Sequence, residues 1–352
     1  MSGTNHDIVS LVKNMPEYRM FGAQIAYGAY RAIEHFSRKK PEAFIVSNLR
    51  NNPSAIDDIP VTSDLSFNKN SLIIVAVTEI IQKEVIPYLN KNGFHNLFIL
   101  SDHDEFLLMS AYYNDLNIFP CATSRGDGKV DVVLYEAHSH KDKFLISSPK
   151  HKEFEKSVHA GSALGGELEA DFDDNTGNNI SSKNKQYCEM SVTYWVWKNQ
   201  YHDWMGIEHY RRHLLVKPEM LTNDVDVILP LPYMFAPNAL AHFRAVLSEN
   251  VIDALFVSLR ILHPEEFDDY IKIINDYYQY TYNMLCAKKS VFDAYCKWFF
   301  EITDYMETMS DKVSEIKETR ALSYVAEILT NIYFMYNKDK LNIRHAEKII
   351  FT

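Results

Sequence analysis

Glycine and proline are scarce in this chain, 11 and 12 of 352 residues, which excludes a collagen-like repeat and a linker-dominated polymer. Cysteine is scarcer still. Cys121, Cys188, Cys286 and Cys296 lie too far apart for CxxC-type zinc or redox motifs and suggest no disulfide-stapled scaffold. A reducing, cytoplasmic setting is the expectation. Apolar runs such as residues 72–77 fall far short of the roughly 20 residues that span a bilayer. No cationic start followed by an apolar stretch resembles a signal peptide. Cations are outnumbered as well, 36 Lys and Arg against 47 Asp and Glu, for a net charge of −11. That balance argues against nucleic acid as a partner and against broad contact with an anionic membrane, so any anionic ligand needs a local basic cluster.

What is abundant is apolar and aromatic surface. With 22 Tyr, 20 Phe and 4 Trp the chain can offset its ordering entropy, which excludes disorder, and its length suits two domains. From Tyr18 to about Leu100 strand-like and helix-like segments alternate: a short apolar run ending at Phe21, a helix over 25–36, strands at 43–46 and 72–77, a helix over 79–91 and a strand at 97–100. β-branched, fully apolar strands between helices predict an α/β fold with a small parallel sheet. The turn after the first strand reads Gly22-Ala23-Gln24-Ile25-Ala26-Tyr27-Gly28, with Gln24 where a dinucleotide fold needs its second glycine, and Val46-Ser47-Asn48 offers no ribose-binding acid. This half is therefore expected to be a degenerate Rossmann-like domain, 1–128, that does not use NAD. Arg125-Gly126-Asp127-Gly128-Lys129 is the linker candidate, and 129–352 the second domain.

The second half holds the chemically distinctive residues. Ser139-His140-Lys141 closes its first strand, where α/β folds place ligands, although an ordinary polar loop would read the same way. Residues 171–181 form a run of short polar side chains and glycine that can converge on hydroxyls. Asp171 and Asp173 spell DxD, the weak candidate for a metal-holding pair, and a solvated acidic loop explains them as well. Tyr187-Cys188-Glu189 opens a helix running to Asn199, in which one of Trp195 and Trp197 is core; Glu189 is either a general base or a partner of the helix N-terminus. Residues 204–215 read as a strand ending at a site, with Glu208, His209, Tyr210, Arg211, Arg212 and His213 in its polar block. On an extended chain Arg211 and Arg212 point to opposite faces, and guanidinium groups suit a diphosphate. Residues 241–262 and 265–298 read as amphipathic helices.

The succession of Ser139-His140-Lys141, residues 174–181, Asn184, Tyr187-Cys188-Glu189, residues 194–199 and residues 206–212 resembles the DUF4422 family of bacterial glycosyltransferases. The likeness continues through residues 226–230, Tyr282-Asn283-Met284, Arg320 and Glu327, and covers roughly 131–352. It implies a GT-A-like α/β domain with a helical C-terminal part, a UDP-linked donor such as UDP-galactofuranose, and transfer to a growing glycan of the capsule or O-antigen type. Carried over by position, Ser139, His140 and Lys141 lie near the nucleotide. Asn175, Gly177, Asn179 and Ser181 lie near the donor sugar, with Tyr210 also on the donor side. Arg211 or Arg212, with His209, then replaces the usual metal at the strand end. No metal is firmly expected, and Mg²⁺ or Mn²⁺ stays open. Asn178 stands where an aspartate is usual, and Glu208 where small residues or Cys are usual.

The expected reaction is an inverting hexosyl transfer in which Asp174, or failing it Glu189, takes the acceptor proton. The acceptor is a glycan or lipid-linked glycan, which leaves peripheral docking at the inner face of the membrane open, as is a homo-oligomer. A non-catalytic nucleotide-sugar- or glycan-binding module is the alternative from another class. An NAD-dependent epimerase is disfavoured by Gln24.

Overall fold

Strands and helices alternate through the first third of the chain because apolar β-branched runs are separated by amphipathic ones. The computed structural model describes residues 7–50, 52–147 and 152–351. It divides into a first unit, Met1–Pro120 with Tyr233–Pro237, and a second, Cys121–Pro232 with Asn238–Thr352. The glycine-bearing stretch 125–129 lies inside the second unit, where the Arg125 and Gly126 N–H groups donate to Glu219 O.

The first unit is built on strands β1 (Tyr18–Phe21), β2 (Phe44–Ile45), β3 (Ala55–Ile56), β4 (Ile59–Thr62), β5 (Leu72–Val75) and β6 (Leu97–Ile99), in the order β3-β4-β2-β1-β5-β6. All pairings but β3–β4 are parallel, and the chain reverses direction across the sheet between β1 and β5, as in doubly wound folds. Among the described residues it is accompanied by helices α1 (Ile8–Lys13), α2 (Tyr27–Ser37), α3 (Glu79–Lys91) and α4 (Asp102–Asp115). Val85 and Leu89 of α3 pack on Phe21, Ile45, Ile73 and Val75. Helix α4 has almost no apolar periodicity, which is why sequence reading passes over it. Gly22 sits at φ +112, and a Cβ there would come within 3.0 Å of Ala26 and Val77. The turn thus needs its first glycine for backbone reasons alone.

The second unit has strands β7 (Val132–His138), β8 (Glu155–His159), β9 (Phe172–Asp173), β10 (Trp204–His209), β11 (Arg212–Leu214), β12 (Val227–Pro230), β13 (Leu285–Lys288), β14 (Ile343–Ala346) and β15 (Lys348–Ile350). The main path is β14-β12-β13-β10-β7-β8-β9, with β11 pairing β10 and β15. Strands β10, β7, β8 and β9 are mutually parallel, so their carboxyl ends share one edge. The helices are α5 (Asn184–Tyr187), α6 (Met190–Asn199), α7 (Ala239–Phe243), α8 (Glu249–Leu262), α9 (Phe267–Ile274), α10 (Lys289–Glu307), α11 (Glu315–Glu318) and α12 (Ala321–Tyr336). Among the described residues no helix is long and apolar enough to cross a membrane.

Four elements differ from the sequence reading, the first being residues 241–262, which fall in two helices, α7 and α8, parted by 244–248. The helix expected from Tyr187 breaks at Cys188, whose φ is +48, so α5 and α6 are separate. The strand expected over 204–215 folds into a hairpin, β10 and β11, with Tyr210 and Arg211 in its turn. Residues 265–298 are not one helix: Leu285–Lys288 enters the middle of the sheet, antiparallel to β10 and β12. Its apolar run suits a buried strand as well as a helix, and tertiary pairing decided between them.

Alternation along β10 sends Met205 and Ile207 into the core formed with α6, α8, α10 and α12. Trp204 instead packs with Leu134, Leu214, Ile228 and Cys286 on the opposite face. Gly206 belongs to that second face, where a Cβ would strike Leu134 and lie 2.8 Å from Leu285 O. Gly206→Ala is therefore expected to destabilise the protein by about 2–3 kcal/mol in urea unfolding, the cost of overpacking a core that cannot yield.

Candidate functional site

The shared edge of β7, β8 and β10 gathers the residues that follow each strand. After β7, the Ser139 N–H donates to Asp142 Oδ2 at 2.7 Å, and the Lys141 N–H donates to Ser139 Oγ at 3.3 Å. Burial pushes the Asp142 carboxyl up, against the pull of the Ser139 N–H and of the His138 and Arg211 charges. Arg211 thus lies close to the loop after β7. The His138 ring stacks on Tyr210 at 5.3 Å, which ties this loop to the β10–β11 turn.

His140 Nδ1 lies 3.1 Å from His159 Nε2, and His159 Nδ1 lies 3.2 Å from Asp173 Oδ1. Asp173 therefore orients a buried histidine. Asp171 accepts from the Ser157 N–H at 2.9 Å and Oγ at 3.1 Å, with Lys156 3.6 Å away. Each carboxylate of the DxD spelling is committed to a different partner on β8, and the group able to hold a metal among the described residues lies elsewhere, at Glu155, Glu208 and His213.

Asp174 is fully buried and accepts five hydrogen bonds: from the Gly161 N–H (2.9 Å), the Ser162 N–H (3.1 Å) and Oγ (3.0 Å), the Ser191 Oγ (2.7 Å) and the Ser181 Oγ. A carboxylate has about four lone-pair sites. Asp174 has none left for an acceptor hydroxyl, and the expectation of it as the first base candidate is corrected to an organising role. The loop after it also satisfies itself. Asn179 Nδ2 donates to Asn175 O and Gly177 O, the Ser181 N–H donates to Asn179 Oδ1, and Asn199 of α6 bonds both N–H and O of Asn178. Gly177 takes φ +55 against Asn199. These side chains fold the loop rather than converging on an outside hydroxyl.

On the helix-covered face, His209 Nε2 lies 2.8 Å from Tyr282 O and 3.8 Å from Glu189 Oε1. Burial pushes the His209 imidazole down, only partly offset by Glu189. A neutral ring donating to a carbonyl positions its neighbours and brings no positive charge to a diphosphate, which corrects the role expected of it. Glu189 Oε1 accepts from Asn283 Nδ2 at 2.7 Å, and Asn283 is anchored in turn by Ser323 O and Thr330 Oγ1. The Arg212 guanidinium lies 4.2 Å over the Tyr282 ring, and its buried Nε makes no hydrogen bond among the described residues.

Sequence reading passes over the roles of Tyr282, Asn283, Arg320 and Glu327 here. Tyr282 and Asn283 both have positive φ, +73 and +50, as does Cys188 beside Glu189. Strained non-glycine backbone of this kind persists where the surroundings over-determine it. Burial first, then the charge of Glu189, pushes Glu327 up to about 7, while the Tyr282 N–H, Arg212 and Arg320 pull it back. The signal was available in principle: Glu327 is the single charged residue of α12.

An α/β unit with ionisable groups gathered where parallel strands end defines the class of fold and site. The chain belongs to the DUF4422 family, described as a domain of unknown function, whose model matches residues 137–338, more than half of the sequence. Among solved structures it is similar to WbbM, a bifunctional glycosyltransferase in its apo form. The identity is 26% and the TM-score 0.55, over 62% of this chain and 45% of that one. This chain thus spans less than half the length of that protein's chain. The α/β, GT-A-like fold implied by the family resemblance is the fold observed. No curated protein matches the chain.

Two outcomes follow from the geometry. Asp174→Asn, which turns an acceptor of five bonds into a partial donor, should cost about 2–4 kcal/mol in chemical denaturation. The second concerns pH. A carboxyl raised from 4.5 to about 7 binds more protons folded than unfolded between those values. Its contribution is fully present below the unfolded value and lost as pH rises through about 7. Glu327→Gln should therefore gain stability relative to wild type as pH rises from about 5 to about 8, read from thermal melts.

Proposed function

We propose that the second unit is a glycosyltransferase that moves a hexose from a nucleotide-sugar donor to a growing surface glycan. The observation that carries this reading is that buried Glu189 and the cations Arg211 and Arg212 act on the same group, His209 at the carboxyl end of β10, while Arg320 acts with Glu189 on Cys188 beside it. Similarity to a bifunctional glycosyltransferase supports the reaction class. The donor is UDP-linked, with UDP-galactofuranose as the leading candidate from the family resemblance.

In the proposed step the acceptor hydroxyl attacks the anomeric carbon from the face opposite the diphosphate. Its oxygen forms the new glycosidic bond, its proton passes to Glu189, and the bond from the anomeric carbon to the diphosphate oxygen breaks. Arg212, with Arg211, meets the charge that develops on the departing diphosphate. His209 and Asn283 hold Glu189 by their contacts to it. Ser139, His140 and Lys141 line the nucleotide side with Tyr210. Asn175, Gly177, Asn179 and Ser181 shape the sugar side through the loop that Asp174 organises.

The acceptor is a glycan or lipid-linked glycan, with the chain working in the cytoplasm at the inner membrane face. Phe144 and Ile146, 95% and 86% exposed, stand beside Lys141 and Lys143, a composition suited to shallow insertion into an anionic lipid surface.

Thermal shift of the purified chain against a panel of nucleotide-sugars should single out one UDP-sugar, because a ligand bound to the native state alone raises its apparent stability. With that donor, Glu189→Gln should lower kcat by about 10²- to 10⁴-fold while donor binding persists, and Arg212→Ala should weaken both. Full turnover in Glu189→Gln refutes the base assignment. Donor binding with neither transfer nor hydrolysis in wild type points instead to a nucleotide-sugar-binding module.

A further inference from the structure

The reverse face of the central strands holds ionisable groups that the proposed reaction does not use. Alternation along β10 turns Glu208 away from His209, onto the face it shares with its register partner Glu136 on β7. Glu155 of β8 is aligned with Leu134, two residues before Glu136, and so points the same way. His213 of β11 closes over them. Their exposures are 3% for Glu136, 5% for Glu155, 0% for Glu208 and 4% for His213.

The imidazole stands between two carboxylates, Nδ1 3.3 Å from Glu208 Oε1 and Nε2 3.3 Å from Glu136 Oε2. Glu208 Oε2 accepts the Leu214 N–H at 3.2 Å, whereas buried Glu208 Oε1 accepts no hydrogen bond among the described residues and has the His213 ring nitrogen 3.3 Å away; Glu155 Oε2 accepts the Lys152 N–H at 2.6 Å. Lys152 Nζ, 2.8 Å from Glu155 Oε1, and the His213 imidazole are set against three carboxylates. Buried carboxylates that outnumber the cations beside them are unfavourable until further positive charge is supplied. Ligand-capable atoms of Glu155, Glu208 and His213 all lie within 4.8 Å of one another.

We propose that Glu155, Glu208 and His213 bind a first-row divalent cation of the Zn²⁺ or Mn²⁺ type. One imidazole nitrogen with two carboxylate oxygens is a donor set these ions accept. Glu136 stands at the other ring nitrogen, where a carboxylate takes the second N–H and fixes the tautomer of a metal-bound histidine. The cation would tie β11 to β7, β8 and β10 and so brace the hairpin that presents Arg211 and Arg212. This inference does not depend on the transferase reading, since the ligands face away from His209 and Glu189.

The test strips the purified full chain of metal and titrates Zn²⁺ and Mn²⁺ separately, without nucleotide, following uptake by elemental analysis and stability by thermal melting. The expected result is about one equivalent per chain with a raised melting temperature. Affinity should fall at least about tenfold in Glu208→Gln and about 10- to 100-fold in Glu136→Gln. An Asp171→Asn, Asp173→Asn double variant should bind as wild type does. The proposal is overturned if wild type takes up neither ion and melts at the same temperature with and without them. It is equally overturned if Glu208→Gln binds undiminished, or if the double variant loses the ion. Wild type carries the deciding measurement, so a variant that fails to fold does not shield the proposal.

Discussion

A central strand buried on both faces has to place two successive ionisable residues, and the second unit is arranged around that constraint. Glu208 and His209 follow Ile207 on β10, and the pleat forces them to opposite sides of the sheet. Glu208 is fully buried and His209 largely so, so each side must supply partners. On the helix-covered side these are Tyr282 O and Glu189, delivered by the segment before β13 and the start of α6. On the reverse side they are His213 and the Leu214 N–H, delivered by the β10–β11 turn. The hairpin that ends the strand is thus also what makes the strand tolerable.

A second level of organisation holds the edge where chemistry is proposed. Asp174 pulls the Gly161–Ser162 turn, Ser181 and Ser191 onto one carboxylate, fixing α6 relative to β8 and hence the start of the helix that carries Glu189. The strained backbone at Cys188, Tyr282 and Asn283 surrounds that same residue. Strain of about 1–3 kcal/mol per position needs support, and the aromatic core of α10 and α12, with Phe292, Tyr295, Phe299 and Ile332 fully buried, provides it. Stability is stored in the helices, and the site draws on it.

Much of this was legible in the residues. Strand–helix alternation in the first unit follows from β-branched runs and amphipathic spacing, and α3 begins and ends where its pattern does. The polar block 208–213 announces a strand end dense in ionisable groups, and the ordered motifs from Ser139 to Glu327 announce the family. Less legible was which polar residues serve the fold. Asp174 and Glu189 look alike as acids beside a helix, yet one accepts five hydrogen bonds and the other is left to two neighbours. Nothing local distinguishes them, because the donors come from residues up to 94 positions away.

The sequence by itself determined the fold class, the family and the place along the chain where charge concentrates, since periodicity, residue type and order are local properties. Tertiary structure decided the rest. It made residues 204–215 a hairpin, inserted Leu285–Lys288 between β10 and β12, and brought Glu327, the one charge of α12, beside Glu189 and Arg212. Those outcomes depend on which distant segments bury one another, and a carboxylate's role is set by the donors and charges that burial places around it.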